Sequence, residues 1–240
     1  MKKMIRKCCL FGLVLFTASQ AFSQEFLPAI ERFSSKKESF LVTTKGDTTK
    51  FFLDDLDRKK GLIVNVAGKT VDGKKFEHDA KDVVFMALAP SDFAKFAAFS
   101  EGTSSVLRAS KTDFKQINRD LIFFYREYLD DKKRTVLVQQ VNPGFDSRLR
   151  VYDDPFAKQT AGVGVAGMQV TGGQDKSYYV NYNGKTFRMY KRDYDKLFKE
   201  FFGNCPALTA KYKNGAWRDF AEHLFFYEQS CQSSTNSAAR

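Results

Sequence analysis

Gly162-Val163-Gly164-Val165-Ala166-Gly167 has the G-x-G-x-x-G spacing that lets backbone amides close on a pyrophosphate. That chemistry needs a strand before the glycines, a helix opening on them and an acidic residue about 20 positions later. Here Gln169, Thr171-Gly172-Gly173 and a β-hairpin pattern follow instead. The segment therefore reads as a glycine-rich loop or irregular strand, long enough to touch a ligand, and no cofactor is implied.

Carboxylates and histidines offer little more. His78 stands with Glu77, Asp79 and Asp82, but strand alternation sends His78 and its neighbours to opposite faces, whereas a metal needs three or four converging ligands. His223, beside Glu222, reads as a solvated helix residue. Asp54, Asp55 and Asp57 hint at calcium, yet Arg58-Lys59-Lys60 would repel a cation and the glutamate closing a calcium loop is absent. With 2 histidines, a hydrolytic triad or multi-histidine metal centre has little to draw on. The 28 acidic residues always permit a carboxylate pair, which keeps glycoside-type hydrolysis as an alternative without pointing to it. No catalytic or metal-ligating residue is assigned.

The best interaction candidate is a set of aromatic and arginine side chains. Tyr179, Arg188 and Tyr190 share one side of a hairpin, and Tyr152 with Arg150 alternates outward on a neighbouring strand. Such donors on a rigid sheet suit a protein partner or a sugar. Tyr152, Tyr179, Arg188 and Tyr190 are thus the candidate ligand-binding residues. The competing reading is that C-terminal helices cover that side.

The elements that would position these groups are short strands. Residues 40–44 and 48–53 flank Lys45-Gly46-Asp47, and 62–66, 75–78 and 83–88 follow at intervals of about ten residues, an antiparallel meander or curled sheet. Ser91 can cap a helix carrying Phe93, Phe96 and Ala97. Residues 121–129 fit either a helical face or an aromatic strand, since periodicity cannot separate the two in so short a run. Strands at 135–141 and 148–152 bracket Asn142-Pro143-Gly144. Asn183-Gly184 favours positive φ at both turn positions and joins 177–182 to 185–190, pairing Tyr182 with Lys185, Val180 with Phe187 and Tyr178 with Met189. Tyr194, Leu197, Phe198, Phe201 and Phe202 then mark an amphipathic helix ended by Gly203-Asn204. A longer helix follows with Trp217, Phe220, Leu224 and Cys231 on one face.

The expected fold is α+β: antiparallel β meanders with a C-terminal aromatic helical layer. Its expected organisation is a signal peptide over 1–23, a β-rich region over 24–89, a connecting helical region over 90–130, hairpins plus helices over 131–231 and a disordered tail over 232–240. The signal peptide is read from Lys2, Lys3, Arg6 and Lys7, the apolar run from Cys8 to Ala18, and Ala21-Phe22-Ser23 before Gln24. That run is too short to span a bilayer, which takes about 20 apolar residues. With Cys8 and Cys9 removed, Cys205 and Cys231 remain for one disulfide in an oxidising compartment, two independent buried thiols being the alternative. Net charge is +11 over the whole chain, without a run of five like charges. That balance suits anionic polysaccharide or lipid head groups outside the cytoplasm rather than nucleic acid, the competing reading being dispersed solubilising charge.

Several short motifs occur together: Ser23-Gln24 at the end of the leader, Lys45-Gly46-Asp47, Asp82-Val83-Val84-Phe85, Ser177-Tyr178-Tyr179-Val180, Asn204-Cys205-Pro206 and Tyr227 four residues before Cys231. On these the chain resembles the small exported proteins of unknown function common in Bacteroidota. The resemblance implies a periplasmic or secreted location and carries over no functional residue. The sequence thus leads to an exported soluble module of the cell envelope, more a binder than an enzyme, with a polysaccharide or protein partner, no transmembrane segment, and oligomeric state open. The alternative is a hydrolase acting on an extracellular polymer through paired carboxylates.

Overall fold

The computed structural model describes residues 24–102, 119–157, 164–165, 168–169 and 175–231. The leader, most of the glycine motif and the 232–240 tail lie outside the described residues.

Alternation of apolar and polar residues builds the first half. Strands β1 (Glu38–Thr43), β2 (Thr48–Lys59), β3 (Leu62–Thr70), β4 (Lys75–Asp79) and β5 (Val83–Leu88) precede helix α1 (Asp92–Gly102), and β6 (Ile122–Leu129) and β7 (Arg134–Gln139) follow it. The order β2-β1-β5-β6-β7-β3, with β3 also pairing β2, closes a six-stranded antiparallel barrel, and β4 adds to β3. Closure removes the unpaired edges that an open sheet exposes. Leu41, Phe51, Leu53, Ile63, Val66, Met86, Phe124 and Leu137 fill the barrel core, and α1 adds Ala94 and Ala98.

Two expectations change here. Residues 122–129 are a strand, because Ile122 and Phe124 point into the core while the backbone pairs with β5 on one side and β7 on the other. Consequently the boundary expected between 130 and 131 falls inside the β6–β7 hairpin, and the barrel runs from 38 to 139 rather than ending before α1. Strand β2 also continues past Leu53 to Lys59, so Asp54, Asp55 and Asp57 lie on a strand and not in a cation-binding loop.

Backbone pairing leads directly from barrel to second sheet. Beyond β7, Gln140 bridges Tyr152 and Val141 N–H donates to Val151 C=O at 2.9 Å. Asn142, fully buried, closes the intervening loop: its Nδ2 donates to Phe145 O and Leu149 O, and its Oδ1 accepts from Val151 N. Strand β8 (Arg150–Tyr152) is followed by the two-residue strands β9 (Gly164–Val165) and β10 (Met168–Gln169), then β11 (Ser177–Tyr182) and β12 (Lys185–Tyr190). The three-stranded sheet has order β12-β11-β8. Its tight turn places Asn183 at φ 51° and Gly184 at φ 78°, and the pairing Tyr182↔Lys185, Val180↔Phe187, Tyr178↔Met189 is the one the dipeptide predicts.

Helices α2 (Lys191–Phe202), α3 (Pro206–Lys211) and α4 (Phe220–Ser230) cover the sheet face carrying Tyr178, Val180 and Met189, with Tyr194, Phe198, Phe201, Phe220 and Leu224 in one core. Trp217 belongs to a separate 3-10 turn before α4, not to the long helix expected. Cys205 and Cys231 form a disulfide across 26 residues, tying the end of α4 to the α2–α3 junction. Replacing both with serine is expected to lower the unfolding free energy by about 3 to 4 kcal/mol in the chain-entropy account. Urea unfolding of oxidised wild type against C205S/C231S measures it, and equal midpoints would contradict it.

Candidate functional site

The four tyrosine and arginine candidates do not make a solvent face. Tyr152 and Tyr179 are each 0% exposed, packed with Leu62, Leu129, Val136 and Val138 in the seam between the three-stranded sheet and the barrel. Tyr152 Oη donates to Glu127, and Tyr179 Oη donates to Asp131 at 3.1 Å. Burial first, then Glu127 for Tyr152 and Asp154 followed by Asp131 for Tyr179, push both phenols above their ordinary pKa. Arg188 is held by Asp154, Nε to Oδ2 at 2.6 Å, and Asp154 also accepts from Ser177 Oγ at 2.6 Å. Of the four, Tyr190 reaches solvent most, with Arg188 and Arg192 over its ring. The covering layer is therefore the barrel, whereas the helices cover the opposite side.

The remaining candidates scatter. His78 sits on β4 with its ring 5.3 Å from that of Phe76, and Glu77 accepts from Asn65. Among the described residues no group of three His, Cys, Asp or Glu could hold a metal ion. Gly164–Val165 pairs antiparallel with Met168–Gln169, so a strand rather than a helix begins at Gly164; the other glycines of that motif lie outside the described residues. His223 corrects the solvated reading. It is fully buried, with Nδ1 2.6 Å from Tyr194 Oη and Nε2 unpaired, and burial draws its pKa down to about 4. Because α4 starts at Phe220, the positions 220, 223, 224 and 227 form its apolar stripe, and His223 falls within it.

What the structure does assemble is a cavity of about 360 Å³ that sequence reasoning did not single out. One wall is the lead-in segment, irregular as expected but anchored. Leu27 N–H donates to Val141 O, Ile30 N–H to Gln139 Oε1, and Gln139 Nε2 donates back to Pro28 O. Residues Ala29 to Arg32 are thereby laid against Phe124, Leu137 and Val138. A second wall is the β2–β3 turn, where Lys60 (φ 53°) and Gly61 (φ 82°) reverse the chain. A side chain at Gly61 would put Cβ 2.7 Å from Pro155 Cβ, so glycine is needed for the turn to seat there.

Asp153 and Arg58 supply the polar chemistry. The Asp153 backbone N–H donates to Gln139 O, and alternation then sends adjacent aspartates apart: Asp154 into the Arg188 clamp, Asp153 into the cavity. Although the residue keeps partial exposure, its carboxyl lies deep. Burial, then the Asp175 and Asp154 charges, push it up to about 7, with Arg58 opposing them. Arg58 Nη1 donates to Gly61 O at 3.1 Å, while Nη2 is buried without a partner. Burial lowers the Arg58 pKa, and Glu31 and Asp153 act against that. The arrangement can donate to an acceptor oxygen from Arg58 and exchange a proton at Asp153 near neutral pH.

Comparison with family models, curated proteins and solved structures finds no match to this chain. Among the described residues no helix is long and apolar enough to cross a membrane.

Asp153 fixes a pH dependence. Its folded pKa is raised, so the folded state binds more protons than the unfolded one between about pH 4 and 7, and its contribution to stability falls as pH rises through that window. His223, with a lowered folded pKa, acts in the opposite sense from about pH 4 to 6.5. Asp153→Asn is therefore expected to gain stability relative to wild type between pH 4 and 7, measured by melting temperature. An unchanged difference across that range would show that Asp153 titrates normally.

Proposed function

We infer that this chain is an exported, non-enzymatic binding module of the cell envelope whose ligand enters the cavity beside Arg58 and Asp153. The observation that carries the reading is the buried Arg58 Nη2 without a partner in a residue lining a concave site. An unpaired buried donor costs about 1 to 3 kcal/mol, which a ligand acceptor oxygen would recover. The mixture of Phe124, Leu137 and Ile30 with Arg58, Asp153 and Glu31 suits a polar ring with an apolar face, such as one sugar unit of an envelope polysaccharide. Export is supported by the basic head and apolar run at the amino terminus and by the Cys205–Cys231 bridge, since structural disulfides persist in oxidising compartments. The likeness to exported Bacteroidota proteins agrees with a periplasmic or secreted site of action.

One feature favours a second reading. A carboxyl raised to about 7 in a cavity with another carboxylate, Glu31, is a setting for acid catalysis on a glycosidic polymer. Calorimetric titration with neutral and uronic oligosaccharides, combined with chromatography of the mixtures, separates the two. The binding reading expects saturable heat without cleavage, and affinity reduced about tenfold in Arg58→Gln with the folded circular dichroism spectrum retained. Cleavage abolished by Asp153→Asn would establish the hydrolase instead. Equal affinity in Arg58→Gln would remove the cavity as the site.

A further inference from the structure

A second concavity lies across the β2–β3 turn from that cavity. It is an open groove of about 820 Å³ lined by Lys59, Lys60, Asp131, Lys132, Arg134 and Phe156. Successive residues of a strand face opposite sides, so Arg58 belongs to the cavity while Lys59 lines the groove. Arg134 Nη2 donates to Lys59 O at 3.3 Å and so brings the start of β7 against the turn. Phe156 is placed by its own N–H, which donates to Asp154 Oδ1 at 3.0 Å.

The charge in this groove is unbalanced. Asp131 is its sole carboxylate, and it is engaged by Tyr179 Oη at 3.1 Å and by Lys132 Nζ at 3.2 Å. Lys59, Lys60 and Arg134 pair with no carboxylate among the described residues. Arg134 Nε is buried and makes no hydrogen bond, an unpaired donor of a guanidinium whose planar fork matches carboxylate, sulfate or phosphate oxygens. Lys132 lies 4.3 Å from the centre of the Phe156 ring, which sets an aromatic side chain among the cations.

We propose that this groove binds an acidic polysaccharide, with Lys59, Lys60 and Arg134 meeting anionic groups on successive sugars and Phe156 packing against a sugar ring. Its volume accommodates a stretch of polymer rather than one ion. The proposal stands apart from the cavity reading, because its residues lie on the other side of the turn.

The test uses the full mature chain, phosphatidylglycerol vesicles and three polymers: polygalacturonate (carboxylate), dextran sulfate (sulfate) and neutral dextran. Binding to one or both acidic polymers, weakening as salt rises and absent with neutral dextran, is expected. Affinity should fall about tenfold in the exposed pair Lys59→Gln/Lys60→Asn, asparagine tolerating the positive φ at residue 60. Lys132→Gln, away from that turn, should weaken binding in the same direction, and Lys185→Gln, an exposed lysine that lines neither concavity, should leave it unchanged. The arm that binds identifies the anion. Failure to bind either acidic polymer, affinity unaltered by both lysine variants, or a preference for phosphatidylglycerol vesicles would overturn the proposal.

Discussion

Glu127, on barrel strand β6, gathers donors from all three strands of the second sheet. Its carboxylate accepts from Tyr152 Oη on β8, from Asn181 Nδ2 on β11 at 3.4 Å, and from Thr186 Oγ1 on β12 at 2.6 Å. A charge withdrawn from water is tolerable when such donors surround it, and removing one partner leaves the others unsatisfied. Tyr179 to Asp131 repeats the arrangement at the next turn of the barrel. The three-stranded sheet is consequently fixed on both faces, by the barrel on one and by α2, α3 and α4 on the other. Everything functional hangs from that placement: Asp153, Pro155 and Phe156 follow directly after Tyr152, and they form parts of the cavity and the groove.

The β2–β3 turn divides the polar chemistry of the molecule. Arg58 and Gly61 look into the enclosed side with Asp153, whereas Lys59 and Lys60 look into the open side with Arg134. Adjacent residues 153 and 154 split in the same manner, one titrating near neutrality in a cavity and the other ion-paired with Arg188. Alternation at the end of β2 separates Arg58 from Lys59, whereas Lys60 and Gly61 follow the positive-φ turn and residues 153 and 154 lie in the segment leaving β8. Four of the cations, Lys59, Lys60, Lys132 and Arg134, thus line one concave place.

Local signals were legible and long-range ones were not. Asn183-Gly184 specified a hairpin to the residue pair, since turn chemistry is contained in two adjacent residues. The aromatic spacing of Tyr194, Phe198, Phe201 and Phe202 likewise marked α2, and the cysteine pair marked the bridge. The run 122–129 was ambiguous because Leu121, Phe124, Tyr125 and Tyr128 satisfy a helical period while Ile122 and Phe124 satisfy a strand one, and only pairing with β5 and β7 decides. Alternation correctly separated Tyr178 from Tyr179, yet it carries no information on what covers each face. The barrel that buries Tyr152 and Tyr179 closes through strands distant in sequence. The cavity was invisible for the same reason: Glu31, Arg58, Gln139 and Asp153 meet only after the barrel has closed.

The central claim is that barrel and sheet-helix layer are one cooperative body joined through the buried tyrosine seam. Trp217, the single tryptophan, stacks on Tyr178 at 5.6 Å and donates from Nε1 to Asp175 O, so its fluorescence reports the sheet-helix layer. Backbone amide resonances of β1, β5 and β6 in nuclear magnetic resonance spectra report the barrel. Equilibrium urea unfolding followed by both signals on the same sample should give one coincident transition. Two transitions with separate midpoints would mean that the layers unfold independently and that the seam does not hold them together.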